Sequence, residues 1–312
     1  MRILIAGAAA LLIAAGTPAG EFDWAFRGSL ATPPAGGWDD KQPLKLPGAT
    51  KHFTLAQTRD TTHAVDWYPD RHPPMPRVVA ATGPDSSACG FCHLPGGGGR
   101  PENAAIAGLP AAYIVAQVRA FASGERSAVH PKWRPTALMV QTARHTGVKD
   151  VKAVALYFSI LPYVSHVTVE ETATIATPRT SGVLLMPGDS AAREPLGKRI
   201  AEGPVELERF EWRDPDAAIV AWVPPGSIPR GAALARGNDE RPACDTCHGK
   251  DLRGDIGPPL AGRFPAYLFR QLAGFRTGSR ATPEAEAMRT ISGSLSNADM
   301  IALAAYAGSL RP

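Results

Sequence analysis

Cysteine is scarce in this chain of 312 residues, and the four that occur are confined to two short stretches. Lys/Arg-rich runs and aromatic residues set among basic ones are also lacking, and the formal net charge is only +4, so we exclude nucleic acid as a partner. Beyond the N-terminus no apolar run is long enough to cross a bilayer, which predicts no integral membrane span in the mature chain.

The first 20 residues are the one strongly apolar segment. Met1-Arg2 supplies one positive charge, an apolar run follows from Ile3 to Ala15, and small residues end the segment. This order is typical of a secretory signal peptide, and we predict export to the periplasm with cleavage near Ala19. The alternative, an uncleaved N-terminal anchor, is disfavoured because a spanning helix needs about 20 apolar residues.

The four cysteines form two copies of one pattern, Cys-x-x-Cys-His, at residues 89–93 and 244–248. This is the attachment pattern of c-type haem, in which two thiols add to the haem vinyl groups and the adjacent imidazole coordinates the iron. We therefore predict two covalently bound haem c groups. The thioether residues would be Cys89, Cys92, Cys244 and Cys247, and the iron ligands would be His93 and His248.

Three other interpretations of the cysteines compete with haem attachment. A four-cysteine zinc site usually has its second pair roughly 15 to 20 residues after the first, whereas about 150 residues intervene here. A redox Cys-x-x-Cys fits a compact strand-to-helix context, and neither copy follows an apolar strand-like run. Ordinary disulfides are the third alternative.

The sequence after each motif is duplicated. The first series is Ala107-Gly108, Tyr113, Gln117, Phe121, Gly124 and Arg126. The second series, at identical offsets, is Ala261-Gly262, Tyr267, Gln271, Phe275, Gly278 and Arg280. The Tyr, Gln and Phe are four residues apart, so they share one helix face, and the Gly is a natural helix stop. We interpret this face as core packing against haem.

A methionine recurs at one offset in both copies. Met139 precedes an Asp and a Tyr by 11 and 18 residues, and so does Met288. A thioether is a suitable sixth ligand when a haem protein only transfers electrons, so we predict both methionines as axial ligands. His130 and His145 flank Met139 and keep bis-histidine ligation open for the first haem.

With both motifs, the repeated helix and the downstream methionines in place, the chain resembles tandem class I cytochromes c of the cytochrome c4 type. The shared motifs cover about half of the chain. In that family a Pro carbonyl after the motif often accepts a hydrogen bond from the ligand imidazole, which implies this role for Pro258. The first copy has Asn103-Ala104-Ala105-Ile106 there instead, so we expect two electronically different haems.

Three further segments carry expectations. The arm before the first motif contains His52, His63 and His72, whose spacing matches no common metal-ligand pattern, and a possible short helix at residues 53–60. The four glycines at residues 96–99 suggest a flexible loop beside the haem. Residues 164–225 break the helical pattern, and short apolar runs at residues 167–175, 182–186 and 219–223 predict β-strands.

The predicted fold is mainly α, with two small class I cytochrome c helical domains, an irregular N-terminal arm and a short β-rich insertion between the domains. The boundaries follow the motifs: a signal peptide at 1–20, the arm at 21–76, cytochrome c domain 1 at 77–163, the insertion or linker at 164–225, and cytochrome c domain 2 at 226–312.

The resemblance implies a periplasmic dihaem electron carrier between a dehydrogenase or oxidoreductase and a downstream cytochrome or oxidase. Its partners would be redox proteins, and we favour an electron-transfer protein without catalytic residues over an enzyme. One alternative is a dihaem enzyme of the peroxidase or sulfur-oxidising type, with substrate at an open first haem. Another is a cytochrome subunit of a dehydrogenase complex, with the arm and insertion as its interface.

Overall fold

A computed structural model describes residue 20 and residues 22–26, 41–181, 183–189, 191–239 and 241–312 of the chain. The predicted signal peptide and its cleavage site at Ala19 lie outside the described residues, as does part of the arm. None of the described helices is both long and apolar enough to cross a membrane.

The arm is a small folded layer held by apolar side chains. After a 3-10 turn at Asp23–Ala25 it contains β1 (Pro43–Leu44), β2 (Phe53–Thr54) and α1 (Leu55–Arg59), followed by a second 3-10 turn at Pro69–Arg71. The helix expected over residues 53–60 is shorter because Phe53 and Thr54 pair with β1 and Thr54 caps α1. A separate apolar cluster stabilises this layer: Leu44, Leu46, Leu55, Val65, Trp67 and Tyr68.

The first repeat consists of five helices, and its long helices pack against one another. They are α2 (Arg77–Ala80), α3 (Cys89–His93), α4 (Ala111–Ser123), α5 (Arg134–His145) and α6 (Val148–Ser159). Gly124 ends α4 with φ of 88°, a left-handed conformation that disfavours other residue types. Helix α4 packs against both α5 and α6, and buried residues of α4 and α6 share a core with Val79 and Ala107.

The insertion contains seven strands and one short helix. They are β3 (Val167–Glu171), β4 (Thr174–Ala176), β5 (Pro178–Ser181), β6 (Leu184–Pro187), β7 (Arg193–Pro195), β8 (Ala201–Pro204), α7 (Leu207–Glu211) and β9 (Ile219–Val223). Strand β9 lies between β3, which is parallel to it, and β8, which is antiparallel. The remaining strands form two antiparallel pairs, β4 with β7 and β5 with β6.

Two of the three predicted strand segments differ from the structure at their ends. The run at 167–175 is two strands in different sheets, because Thr172 donates its backbone N–H to Val223 and β4 then turns away to pair with β7. The run at 182–186 is β6, which is shifted to Leu184–Pro187 by its pairing with β5. The run at 219–223 coincides with β9.

The second repeat has the same helix order as the first. Its helices are α8 (Ser227–Ala235), α9 (Asp245–His248), α10 (Pro265–Arg276), α11 (Glu286–Ser294) and α12 (Asn297–Ser309). Ser296 and Asp299 form a capping box at the start of α12. The largest packed surface of the repeat lies between α8 and α12, and strand β3 of the insertion covers another side of α12.

Candidate haem-attachment sites

The two Cys-x-x-Cys-His motifs fold as short helices, α3 and α9. None of the four cysteines forms a disulfide. Helix α3 packs closely on α2: a Cβ on Gly90 would lie 2.7 Å from the Val79 carbonyl oxygen, so this position requires glycine. In each motif the two cysteines are separated by one helical turn, which places both thiols on the same side of the helix as a haem edge would require.

Each motif histidine forms a hydrogen bond of the same length to a backbone carbonyl oxygen. His93 Nδ1 lies 2.8 Å from Ala104 O, and His248 Nδ1 lies 2.8 Å from Pro258 O. Burial lowers the pKa of both imidazoles, while these hydrogen bonds act in the opposite direction. Each ring is therefore neutral with its proton on Nδ1, which leaves the Nε2 lone pair free to coordinate iron.

The missing proline therefore does not remove the hydrogen bond at the first site. The acceptor is a backbone carbonyl, which Ala104 supplies as well as Pro258 does. The imidazole hydrogen bonds thus give no reason for the expected electronic difference between the haems. At the second site the backbone at Gly257 passes so close to the imidazole that only glycine fits, because a Cβ there would lie 2.8 Å from His248 Nδ1.

The expectation of a flexible glycine loop at residues 96–99 is wrong. The Gly97 and Gly99 N–H groups donate to the carbonyls of Leu94 and His93, and Gly97 O accepts from both Ile106 and Ala107. Both glycines have positive φ, and a Cβ on Gly99 would lie 2.5 Å from Ala104 O. These glycines therefore form a tight turn that positions the carbonyl of Ala104 at the ligand imidazole.

The two predicted methionine ligands occupy corresponding helices. Met139 lies in α5 and Met288 in α11, each directly before the last helix of its repeat, and both are half-buried. His145 is exposed at the end of α5 with Nδ1 2.8 Å from Gln141 O of its own helix. His130 lies in the preceding turn, and its Nδ1 accepts from the Lys132 N–H at 3.2 Å. Both histidines thus have local partners.

The arm histidines also have local environments. His52 is exposed, His63 lies 2.8 Å from Asp60, and His72 lies 3.1 Å from Asp66. Across the described ranges, no group of three or more His, Cys, Asp or Glu side chains is arranged to hold a metal ion.

The repeated Tyr, Gln and Arg residues connect the two repeats, a role that our interpretation as core packing against haem missed. Arg126 donates to Gln271 Oε1 at 2.7 Å, and Arg280 donates reciprocally to Gln117 Oε1 at 2.9 Å. The backbones join beside them, where Ser127 N–H donates to Ser279 O at 2.8 Å. A signal was present in the sequence, since polar Gln and Arg recur at fixed offsets around otherwise apolar helices.

Buried arginines surround this junction without carboxylate partners. Arg126, 8% exposed, bonds to the Gln and Tyr side chains, and Arg263, 4% exposed, donates to the carbonyls of Ala105 and Ala107. The Arg263 Nε is buried without a partner in the described part of the chain. Burying cationic groups is costly unless an anion compensates them, so the residues present fit a cofactor that carries carboxylates, as haem does.

Curated proteins similar to this chain include an electron acceptor and cytochromes c4. No protein-family profile matches the chain. The thiosulfate dehydrogenase electron acceptor of Thiomonas intermedia is 27% identical over 74% of this chain and 82% of its own length. Cytochromes c4 of Azotobacter vinelandii and Pseudomonas aeruginosa are 31% and 33% identical over 37% and 28% of the chain. The chain is cytochrome c4-like.

The relatives therefore support haem c as the cofactor of this cytochrome c4-like chain and electron transfer as its activity. The matched parts make up 62% and 47% of the two cytochromes c4, so the chain spans less than two thirds of either. Among solved structures, the thiosulfate dehydrogenase TsdBA of Marichromatium purpuratum is 28% identical with a TM-score of 0.48, covering 72% of this chain and 37% of that one. Reduced cytochrome c4 of Pseudomonas stutzeri is 22% identical with a TM-score of 0.43, covering 72% and 93%.

Proposed function

We propose that the chain is a periplasmic dihaem electron carrier that accepts single electrons from a dehydrogenase and passes them to a downstream cytochrome or oxidase. The observation that carries this proposal is the pair of neutral, carbonyl-bonded imidazoles, one beside each Cys-x-x-Cys pair. The named role of the Thiomonas relative supports an enzyme of thiosulfate oxidation as the donor.

The residues of each repeat would hold one haem c in the same way. Cys89 and Cys92, and likewise Cys244 and Cys247, would form the thioethers, and His93 and His248 would be the proximal ligands. Met139 and Met288 would be the sixth ligands, because a thioether favours the ferrous state. When bound, haem supplies reversible one-electron Fe(III)/Fe(II) chemistry. The carbonyls of Ala104 and Pro258 keep each imidazole fixed during that change.

The protein environment supports an electron carrier more than a substrate-binding enzyme. The two imidazoles have equivalent hydrogen bonds, so nothing in their immediate surroundings opens the first site in preference to the second. The arm and insertion contact each other through Trp67 Nε1, which donates to Trp212 O at 2.9 Å. We therefore propose that the arm and insertion cover the neighbouring domains. Docking of the chain to a larger dehydrogenase complex is then the alternative to a free shuttle.

An optical redox titration of the purified holoprotein tests the proposal. We expect two haems per chain, both low-spin in the ferric state, with two one-electron transitions and no binding of external ligands. A ferric high-spin haem that binds cyanide or peroxide in the native protein would overturn the carrier assignment and favour the enzyme. Stable co-purification with a dehydrogenase would replace the free shuttle with a complex subunit.

Export is tested separately by mass spectrometry of the mature protein. The proposed cleavage after Ala19 gives an N-terminus at Gly20 and haem attachment outside the cytoplasm. A mature chain that retains Met1 together with the apolar segment would contradict cleavage and indicate the N-terminal anchor instead.

A further inference from the structure

Arg213 of the insertion contacts the haem-attachment helix of the first repeat. Its Nη1 donates to Phe91 O at 2.8 Å, and its guanidinium carbon lies 3.4 Å from the centre of the Phe91 ring. Its Nε donates to Thr58 O of the arm at 2.8 Å. Arg213 has φ of 59°, a left-handed conformation that is costly for a non-glycine residue and is maintained here by these three contacts.

The charge of Arg213 is not neutralised by a contact ion pair in the described structure. The neighbouring acid, Asp214, is paired with Arg209, and Glu102 is paired with Arg100. Phe91, which Arg213 contacts through both its carbonyl and its ring, directly precedes Cys92. The positive charge therefore lies beside a cysteine that would carry a thioether.

Within the described residues, the second repeat has no such covering residue at the corresponding position. Thr246 stands where Phe91 stands in the first motif, and Thr246 and Cys247 are both exposed. The first attachment helix is thus covered by an arginine of the insertion, whereas the second one faces solvent. This asymmetry replaces the missing proline as a physical reason for two unequal haems.

We propose that Arg213 is a residue that sets the potential of the first haem, by placing a fixed positive charge against α3. The inference rests on the proposed function, in that both motifs carry haem. Reduction adds one electron to the haem iron, so a nearby cation stabilises the reduced form and raises the midpoint potential. A partly enclosed charge is screened less by water and salt than an exposed one.

The test is an optical redox titration of four holoproteins: wild type, Arg213→Gln, Arg213→Lys and Arg71→Gln. Arg213→Gln removes the charge and should lower one midpoint while the other stays unchanged. Arg213→Lys keeps the charge and should restore most of the loss. Arg71 is the matched control, because it also stacks on an aromatic ring, that of Tyr68, and joins the arm to the insertion through Asp216, but it is half-exposed and paired. Arg71→Gln should move neither midpoint.

The affected haem is assigned with Met288→Ala, which should perturb the second haem alone. The shift caused by Arg213→Gln should persist in that background. The proposal is overturned if Arg213→Gln moves neither midpoint, moves both equally, or has the same effect as Arg213→Lys. A wild type that lacks two low-spin haems contradicts the proposed function before any Arg213 variant is compared.

A gain-of-charge variant keeps the proposal testable if Arg213→Gln fails to take up haem. Thr246→Arg introduces a cation at the corresponding position of the second motif, and Thr246 is exposed, so the folded structure should tolerate it. We expect the second midpoint alone to rise, and the rise to diminish with added salt. An unchanged second midpoint at low salt would overturn the electrostatic basis of the inference.

Discussion

At the residue scale, the proposed haem ligation depends on backbone carbonyls as much as on side chains. His93 and His248 are fixed by carbonyl oxygens of Ala104 and Pro258, so the residue type at that position is free to differ. A particular residue type is required instead in the turns that bring the carbonyl near the ring, because there is no room for a Cβ on Gly99 or Gly257. Substitution of these glycines would disturb the ligand more than substitution of Pro258.

Substitution can distinguish the proposed methionine ligands from the nearby histidines. Met139→Ala and Met288→Ala should each convert one haem to a ferric high-spin form that binds cyanide readily, because one axial position is left open. His145→Ala is the matched control, since this exposed side chain is bonded to its own helix. The measurement is the ferric optical or EPR spectrum. High-spin haem in His145→Ala or His130→Ala, with Met139→Ala unchanged, would establish histidine ligation instead.

Glu202 should make stability depend on pH. This carboxyl group is 2% exposed, and burial raises its pKa from 4.5 to about 8, while the charge of Arg270 acts in the opposite direction and Glu102 adds to the rise. Because the folded pKa is raised, the folded state keeps the proton between about pH 4.5 and 8 while the unfolded state releases it. Stability is therefore lost as the pH rises through this window.

Glu202→Gln cannot ionise and should escape this loss. We expect the variant to match wild type near pH 5 and to be more stable at pH 8 by on the order of a few kcal/mol in urea unfolding. Glu206→Gln, at an exposed position just beyond β8, should show no such pH-dependent difference. A constant gap between Glu202→Gln and wild type from pH 5 to 8 would contradict the assignment.

The two repeats differ at the scale of elements in what covers their last helix. On α12, Ile301 and Ala305 are 2% and 0% exposed in a core shared with Val167 of strand β3. The corresponding positions of α6 are Lys152 and Leu156, and Leu156 is 63% exposed. The insertion therefore completes the core of the second repeat, and this side of α6 remains open to solvent.

The crossing of α8 and α12 should depend on Gly231. A Cβ at this position would lie 2.0 Å from Ala302 O and 2.6 Å from Tyr306 Cβ, so Gly231→Ala must push the helices apart. We expect a loss of about 1 to 3 kcal/mol in the free energy of unfolding, measured by denaturant titration.

Gly293→Ala is the control for this prediction. Gly293 lies in helix α11, and a Cβ there would meet no heavy atom within 4 Å. Alanine is the better helix former, so this variant should be neutral or stabilised by up to about 1 kcal/mol. Equal losses in the free energy of unfolding of Gly231→Ala and Gly293→Ala would show that the contact between α8 and α12 does not cause the loss.

At the scale of the whole molecule, reciprocal hydrogen bonds join the two repeats alongside an apolar core that the arm, insertion and second repeat share. Arg126 and Arg280 each reach the glutamine of the opposite repeat, and Arg263 of the second repeat donates to two carbonyls of the first. The arm and insertion add the bonds of Trp67 and Arg213. These contacts hold the two attachment sites in a defined relative position, which electron transfer between haems would require.

A double-mutant cycle on Arg126 and Gln271 should detect this connection. We expect Arg126→Met and Gln271→Ala to be non-additive, with a coupling of about 0.5 to 3 kcal/mol in the free energy of unfolding, because one hydrogen bond is lost in either single variant. Arg144, which donates to Ala122 O, should give no coupling with Gln271. Additive effects of Arg126→Met and Gln271→Ala would show that this hydrogen bond does not stabilise the interface between the repeats.

The sequence alone predicted features that follow from local patterns. Residue spacing and propensity determine both Cys-x-x-Cys-His motifs, the repeated helices, the helix stop at Gly124 and the strand β9. The cytochrome c4 resemblance follows from the same spacings. The ligand roles of Met139 and Met288, and the domain boundaries, stay predictions.

Only the tertiary structure decided which distant residues meet, because pairing across 100 or more residues leaves no periodic trace in one sequence. Arg126 meets Gln271 and Arg213 meets Phe91, although both arginines are ordinary charged residues in the sequence. The glycine turn at residues 96–99 shows the same limit, since glycine permits flexibility and tight packing alike, and the hydrogen bonds to His93 and Leu94 select between them. Local spacing therefore determined the predicted positions of haem attachment, and long-range packing decided which charges surround each of them.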